Sequence, residues 1–274
     1  MYWKRQDNFE YLVKTLPDNR QHRLGGRTPE NERIYEKFVQ EKAEAESRLR
    51  DLKGALVVAE RMNKALKVGR TPALAVSVLQ EIKAAGLEEH FTVVGTHALY
   101  AYESAAGVRI TQGALATQDV DILWDARKRV RFLTDIKKLD TSILKVLQRA
   151  DKTFIRKEGR VETTINAKGF EVDFLRRQPE GDDRHPFRFS SDEDDIWPIQ
   201  AKRASVLTTA PRFEHVVVSS TGRMAMMRTI APQAFIEFKL WLAENAADRP
   251  EPKRRRDRLQ AAIVQDLLDS GLLL

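Results

Sequence analysis

A chain of 274 residues, 42% hydrophobic and 32% charged, carries enough apolar material for one large domain or two small ones under a polar surface. No apolar run nears the ~18 to 20 residues of a membrane helix, no apolar segment opens the chain as a signal peptide would, and the lack of cysteine excludes disulfides and thiolate metal sites, so the expected setting is the cytoplasm, away from membranes. A formal net charge of +7 favours polyanions as partners, nucleic acid and nucleotides first.

Residues 1–27 are polar and without periodicity, and read as a loosely ordered arm or a peripheral turn. Thr28-Pro29-Glu30 then offers a hydroxyl cap, a proline at the first helical position and an acid in the first turn, so a helix is predicted over 29–66. Tyr35, Phe38, Ala45, Leu49, Leu52, Leu56, Ala59 and Leu66 fall at three-four spacing along it, broken by Lys42 and Asn63. The plain reading is a long helix lying along the rest of the chain; the other is a coiled-coil arm that forms a homodimer or grips a partner. Thr71-Pro72 repeats the start signal, and Leu74, Val78, Leu79 and Ile82 set a second helix ending near Gly86.

Phe91-Thr-Val-Val is a short β-branched run that breaks at Gly95-Thr96, and 97–104 is apolar enough for a helix packed under a sheet. The next β-rich run, Asp119-Val-Asp121-Ile-Leu-Trp124, places Asp119 and Asp121 on one strand face, with Val120, Ile122 and Trp124 on the other. Two carboxylates side by side on an apolar strand repel unless a cation offsets them, and oxygen ligands suit a hard ion such as Mg²⁺ or Mn²⁺. A later strand, Phe170-Glu171-Val-Asp173-Phe-Leu175, again alternates acids with apolar residues, and bringing it beside the first would converge three acids on one point. Between them, 125–138 is strongly basic, readable as a phosphate-tracking flank or as a solvated edge, and 143–150 is predicted helical. Strands are predicted at 153–155, 161–167 and 170–175, with Gly159 and Gly169 in tight turns, which makes the sheet mixed.

The loop 178–195 is acidic and aperiodic, either an ordered surface loop or a lid, and its run of four acids from Asp192 to Asp195 reads as solvated. Strands at 213–219 and 223–230 precede a helix opened by Pro232, a break at 248–252 and a last helix over 254–268. Lys253 to Arg256 reads as a polyanion contact or as the start of that helix, held by Asp257 in local pairs. The five histidines show no zinc spacing, and neither a nucleophile elbow nor a Walker loop occurs. The organisation expected is an arm and long helix (1–70), a core (71–178), and a C-terminal unit of strands then helices (179–274), in a mixed α/β (α+β) fold.

Val94-Gly-Thr-His-Ala-Leu-Tyr-Ala-Tyr-Glu103, followed by Asp119-Val-Asp-Ile-Leu-Trp-Asp-Ala-Arg127 and a later one-aspartate strand, resembles the polymerase-β-type nucleotidyltransferase superfamily. It resembles in particular a bacterial subgroup related to toxin-like, abortive-infection members, with the likeness continuing through Lys239-Leu-Trp-Leu and Lys253-Arg-Arg-Arg-Asp-Arg-Leu-Gln260. The gap from Thr96 to Asp119 is longer than that family's usual dozen or so residues, with an insertion at about 105–114, and His97 stands where the subgroup carries Asn. The resemblance implies that Asp119, Asp121 and Asp173 hold two Mg²⁺ or Mn²⁺ ions, with Asp173 helping to deprotonate the attacking hydroxyl. It implies that Gly95, Thr96 and Lys239 bind the phosphates of an NTP. The acceptor would be RNA, a tRNA end above all, with a protein hydroxyl or a small molecule such as an aminoglycoside as the alternatives; an antitoxin is a further partner it implies. A catalytically silent binding module on the same fold is the alternative.

Overall fold

The computed structural model describes residues 1–274 apart from Pro17, Ala116, 182–186, Lys202, Ala247, Asp248 and Leu274, so part of the acidic loop and of the break near 248 lies outside the described residues. The chain forms two compact units, Met1–Arg61 and Met62–Leu274.

In the first unit, β1 (Tyr2–Gln6), β2 (Phe9–Thr15) and β3 (Gln21–Gly26) make an antiparallel sheet in that order, where a loosely ordered arm was expected. The physical signal is short-range. Asp7-Asn8 is a two-residue hairpin loop, with Asp7 at φ 52°, a conformation Asp tolerates better than most. Only Leu12 and Val13 are buried, so the strands lack the apolar alternation that would reveal them; on the exposed side Arg23 lies over the Tyr11 ring at 3.9 Å. α1 (Pro29–Ala65) starts as expected, with the Thr28 hydroxyl accepting from Asn31 N–H at 3.2 Å. None of its residues is buried, and Leu49, Leu52 and Leu56 are about half exposed.

The second unit is built on a mixed sheet. Its strands are β4 (Phe91–Val94), β5 (Asp119–Trp124), β6 (Ile155–Lys157), β7 (Arg160–Ile165) and β8 (Glu171–Arg176), in the order β4-β5-β8-β7-β6, with β9 (Ile199–Gln200) beside the end of β8. Only the β5–β8 and β8–β9 pairings are parallel. A ribbon of β10 (Arg212–Val218) and β11 (Met224–Ile230) flanks it, tied by the Thr229 hydroxyl donating to the Val93 carbonyl at 2.8 Å and the Tyr102 hydroxyl to Ile230 O at 2.7 Å. Apolar residues opposite the acids close a core of edge-to-face and tilted aromatics, Phe91, Trp124, Phe132, Phe174 and Phe189, with ring centroids 5.2–5.8 Å apart. The helices are α2 (Ala73–Ala84), α3 (Ala98–Ala106), α4 (Gln112–Leu115), α5 (Arg129–Leu139), α6 (Ile143–Ala150), α7 (Ala204–Thr209), α8 (Pro232–Asn245) and α9 (Glu251–Asp269). The extra length between Thr96 and Asp119 is taken up by the end of α3 and by α4.

Three charged stretches do structural work that the sequence reading did not assign. Asp195, expected to be solvated, is fully buried; its carboxylate accepts from Leu144 N–H at 3.0 Å and Ser190 Oγ at 2.7 Å, capping the first turn of α6 where amides lack intrahelical partners. Arg254 donates to the carbonyls of Ala243, Ala246 and Arg249 and so closes the C-terminal end of α8. α9 starts at Glu251, which pairs with Arg255 and Arg258, so the basic run lies behind an acid that offsets its repulsion from the helix dipole. In the 125–138 run, Arg127 is bound to Asp125 and Thr208 O, Lys128 to Glu89 and Arg131 to Asp135.

Candidate active site

The site is made at the N-terminal ends of two neighbouring strands. β5 and β8 pair in parallel with Asp121 opposite Asp173 and Asp119 opposite Glu171, so the shared period of two turns all four acids to one face. Asp119, Asp121 and Asp173 each offer a carboxylate oxygen, and these lie within 4.8 Å of one another. Glu171 is not in the cluster: Lys157 and Arg160 take its carboxylate. Asp173 is buried and oriented from β7, accepting from Thr163 Oγ1 at 2.6 Å and from Arg160 at 3.4 Å, while Asp119 accepts from the Thr117 hydroxyl.

Electrostatics set the protonation of the cluster. Burial, then the charges of Asp119 and Asp173, push the Asp121 carboxyl up to about 7, although Lys239 and Arg249 pull it down. Burial also raises the Asp173 pKa, against the pull of the Thr163 hydrogen bond and Arg160. Three hard oxygen donors, two of them reluctant to ionise beside one another, are a donor set that a divalent cation fits.

Val94 is opposite Asp121 across β4–β5, which brings the following turn against the carboxylate. Gly95 takes φ +68°, and a Cβ there would overlap the Asp121 carboxylate, so both conformation and space require glycine. Thr96 is buried in that turn, where the chain enters α3. His97 follows, 1% exposed, packed against Tyr100 and Phe170; burial lowers its pKa to about 4 against the opposing charge of Asp119, so the imidazole is neutral at pH 7. Neither ring nitrogen makes a hydrogen bond of normal geometry.

Lys239 is carried by α8 and is 3% exposed. It pairs at 3.1 Å with the fully buried Asp257 of α9, which also takes Arg249 at 2.9 Å. Asp257 therefore reaches across to α8 instead of pairing locally with the basic run, because a helix beginning at Glu251 turns it inward. The sequence reading missed this residue, Arg249, Thr163, Arg160 and Gln260. The available signal was the three-residue spacing of Asp257 and Gln260, which puts two polar residues on the buried face of α9 with Ala261 and Val264.

A mixed sheet presenting three clustered carboxylates beside a glycine turn into a helix is an arrangement that suits phosphoryl and nucleotidyl transfer. The chain matches the family model described as "Nucleotidyltransferase" over residues 73–272, and it belongs to that family. The protein is a nucleotidyltransferase. No curated protein matches it. Among solved structures it is similar to the solution structure of the antibiotic-resistance factor ANT(2'')-Ia, at 13% identity and a TM-score of 0.29, over 72% of this chain and 92% of that one; a TM-score that low bears on neither fold nor acceptor. Among the described residues no helix is long and apolar enough to cross a membrane.

Proposed function

We propose that the protein moves a nucleoside monophosphate from an NTP to a hydroxyl of RNA, with Asp119, Asp121 and Asp173 holding Mg²⁺ or Mn²⁺. The observation that carries the reading is the convergence of these three carboxylates within 4.8 Å on a face where burial and the neighbouring carboxylates push one of them up to about 7. Divalent ions bound there would neutralise the phosphate charge and favour the ionised acceptor oxygen. The chain's own groups have distinct tasks. Asp119 and Asp121 supply the shared ligands. Asp173, held still by Thr163 and Arg160, would complete the site beside the acceptor hydroxyl and help to deprotonate it. Gly95, whose missing side chain lets the turn close against the Asp121 carboxylate, and Thr96 hold terminal phosphate oxygens at the start of the helical segment. Lys239, buried against Asp257, lends its charge to the Asp121 side of the site, where the triphosphate would lie.

RNA as acceptor, a tRNA end in particular, is supported by the net charge of +7. The basic α5 lies beyond Trp124, at the far end of β5 from Asp119; five strand residues separate them by roughly 16 Å. A contact there would touch an acceptor well away from its reacting end. A toxin-like role, with α1 engaging an antitoxin or a second copy, belongs to the same proposal.

The test is incubation with each α-labelled NTP and Mg²⁺ or Mn²⁺ in the presence of total RNA and total protein, with Asp119→Ala beside the unaltered chain. Label in RNA that depends on Asp119 supports the reading; aspartate-dependent label in protein replaces the acceptor. No label, together with no stabilisation by divalent ions, would leave a binding module.

A further inference from the structure

Gln260 is fully buried, and its amide reaches the turn that the proposed function assigns to the phosphates. Its Nε2 donates to the Ala114 carbonyl at 2.6 Å and to Thr96 Oγ1 at 3.1 Å. A backbone carbonyl only accepts, so the Ala114 contact fixes which end of the amide points that way. The other end, Oε1, is buried without a hydrogen-bond partner. A hydrocarbon side chain would fill the same space without orphaning an oxygen, so what the glutamine contributes is its pair of donated hydrogen bonds.

One of those bonds has a directional consequence. A threonine hydroxyl has a single hydrogen, and Thr96 Oγ1 already receives one from Gln260, so its own O–H points away from the amide. We propose that Gln260 is a positioning residue that commits the Thr96 hydroxyl to act as a donor, matching it to an anionic phosphate oxygen. The inference rests on the reading of Gly95-Thr96 as the phosphate-holding turn. It assigns α9 a part in nucleotide selection: Gln260 sets the turn's polarity, and Asp257, one helical turn earlier on the same face, holds Lys239.

A binding cycle with a triphosphate bridged by methylene between its α and β phosphorus atoms, which cannot react, tests this without turnover. The proteins are the unaltered chain, Gln260→Leu, Thr96→Val and the double variant, titrated with that analogue and with the nucleoside monophosphate, with circular dichroism and thermal unfolding checking the fold. Each single variant should bind the triphosphate about tenfold more weakly, the scale of one hydrogen bond to a charged group, and the double variant should be no weaker than Thr96→Val. Monophosphate affinity should be unchanged throughout. Should Gln260→Leu misfold, Gln260→Glu serves: its carboxylate accepts from Thr96, reverses the hydroxyl and should weaken triphosphate binding at least as much. Strictly additive losses, equal losses for the monophosphate, or full affinity in either Gln260 variant would overturn the inference while nucleotide binding by the unaltered chain stands. No nucleotide binding by the unaltered chain would remove the phosphate-turn reading and this inference together.

Discussion

Replacing Asp121 by asparagine should stabilise the metal-free protein while abolishing transfer. The Asp121 carboxyl is raised from its ordinary 3.8 to about 7, a net result in which burial and two neighbouring carboxylates outweigh Lys239 and Arg249. A raised acid is a destabilised anion. The folded state holds this proton more tightly than the unfolded chain does, so the contribution is favourable below pH 3.8 and is lost as pH rises through about 7. At 1.36 kcal/mol per unit the shift corresponds to a ceiling of about 4 kcal/mol at pH 8, and partial hydration of the site brings the expected gain nearer ~2 kcal/mol. For a unit of this size that is a melting temperature higher by roughly 4 to 8 °C. The assay is thermal unfolding in EDTA at pH 5.5 and pH 8. Asp121→Asn should melt above the unaltered chain at pH 8, with the gap narrowing at pH 5.5, where Asp121 is already largely protonated. Millimolar Mg²⁺ or Mn²⁺ should stabilise the unaltered chain at pH 8 and the variant much less. A variant that melts below the unaltered chain at pH 8, or a gap indifferent to pH, would refute the reasoning.

Three further perturbations follow from the same geometry. Gly95→Ala forces a side chain into φ +68° and against the Asp121 carboxylate, which should cost about 1–3 kcal/mol in denaturant unfolding and remove activity. Asp257→Asn leaves Lys239 buried and Arg249 half-buried without their counter-charge and should destabilise by about 3 kcal/mol, seen as a lower urea midpoint at unchanged slope. Thr163→Val removes the hydrogen bond that lowers the Asp173 pKa, so the acidic limb of the kcat/KM profile should move to higher pH.

How much of this was legible in the sequence depends on whether each interaction is local. Asp119 and Asp121 could be assigned to one face because strand period alone does so, and Gly95-Thr96 marked the turn because the apolar run stops there. The helix start at Thr28-Pro29 was readable for the same reason, cap and proline being adjacent in the chain. The register that sets Asp121 opposite Asp173 could not be read, because parallel pairing is a choice made between distant strands. Lys239 and Asp257 form one buried pair through the docking of α8 on α9, with the half-buried Arg249 joining it, and a run of basic residues gives no hint of which one caps the preceding helix. Asp195 looked solvated because it stands among acids, whereas its burial follows from the unpaired amides at the start of α6. The N-terminal sheet escaped notice because its strands bury only Leu12 and Val13.

The central claim, that the transferred group is the nucleotide and the departing group its outer phosphates, is tested most directly by following two labels on one NTP. With Mg²⁺ or Mn²⁺ and total RNA, α-label should enter RNA and γ-label should leave as pyrophosphate in equal amount, and both should be lost in Asp119→Ala. Transfer of γ-label to the acceptor, with α-label remaining on a soluble nucleoside diphosphate, would contradict the account.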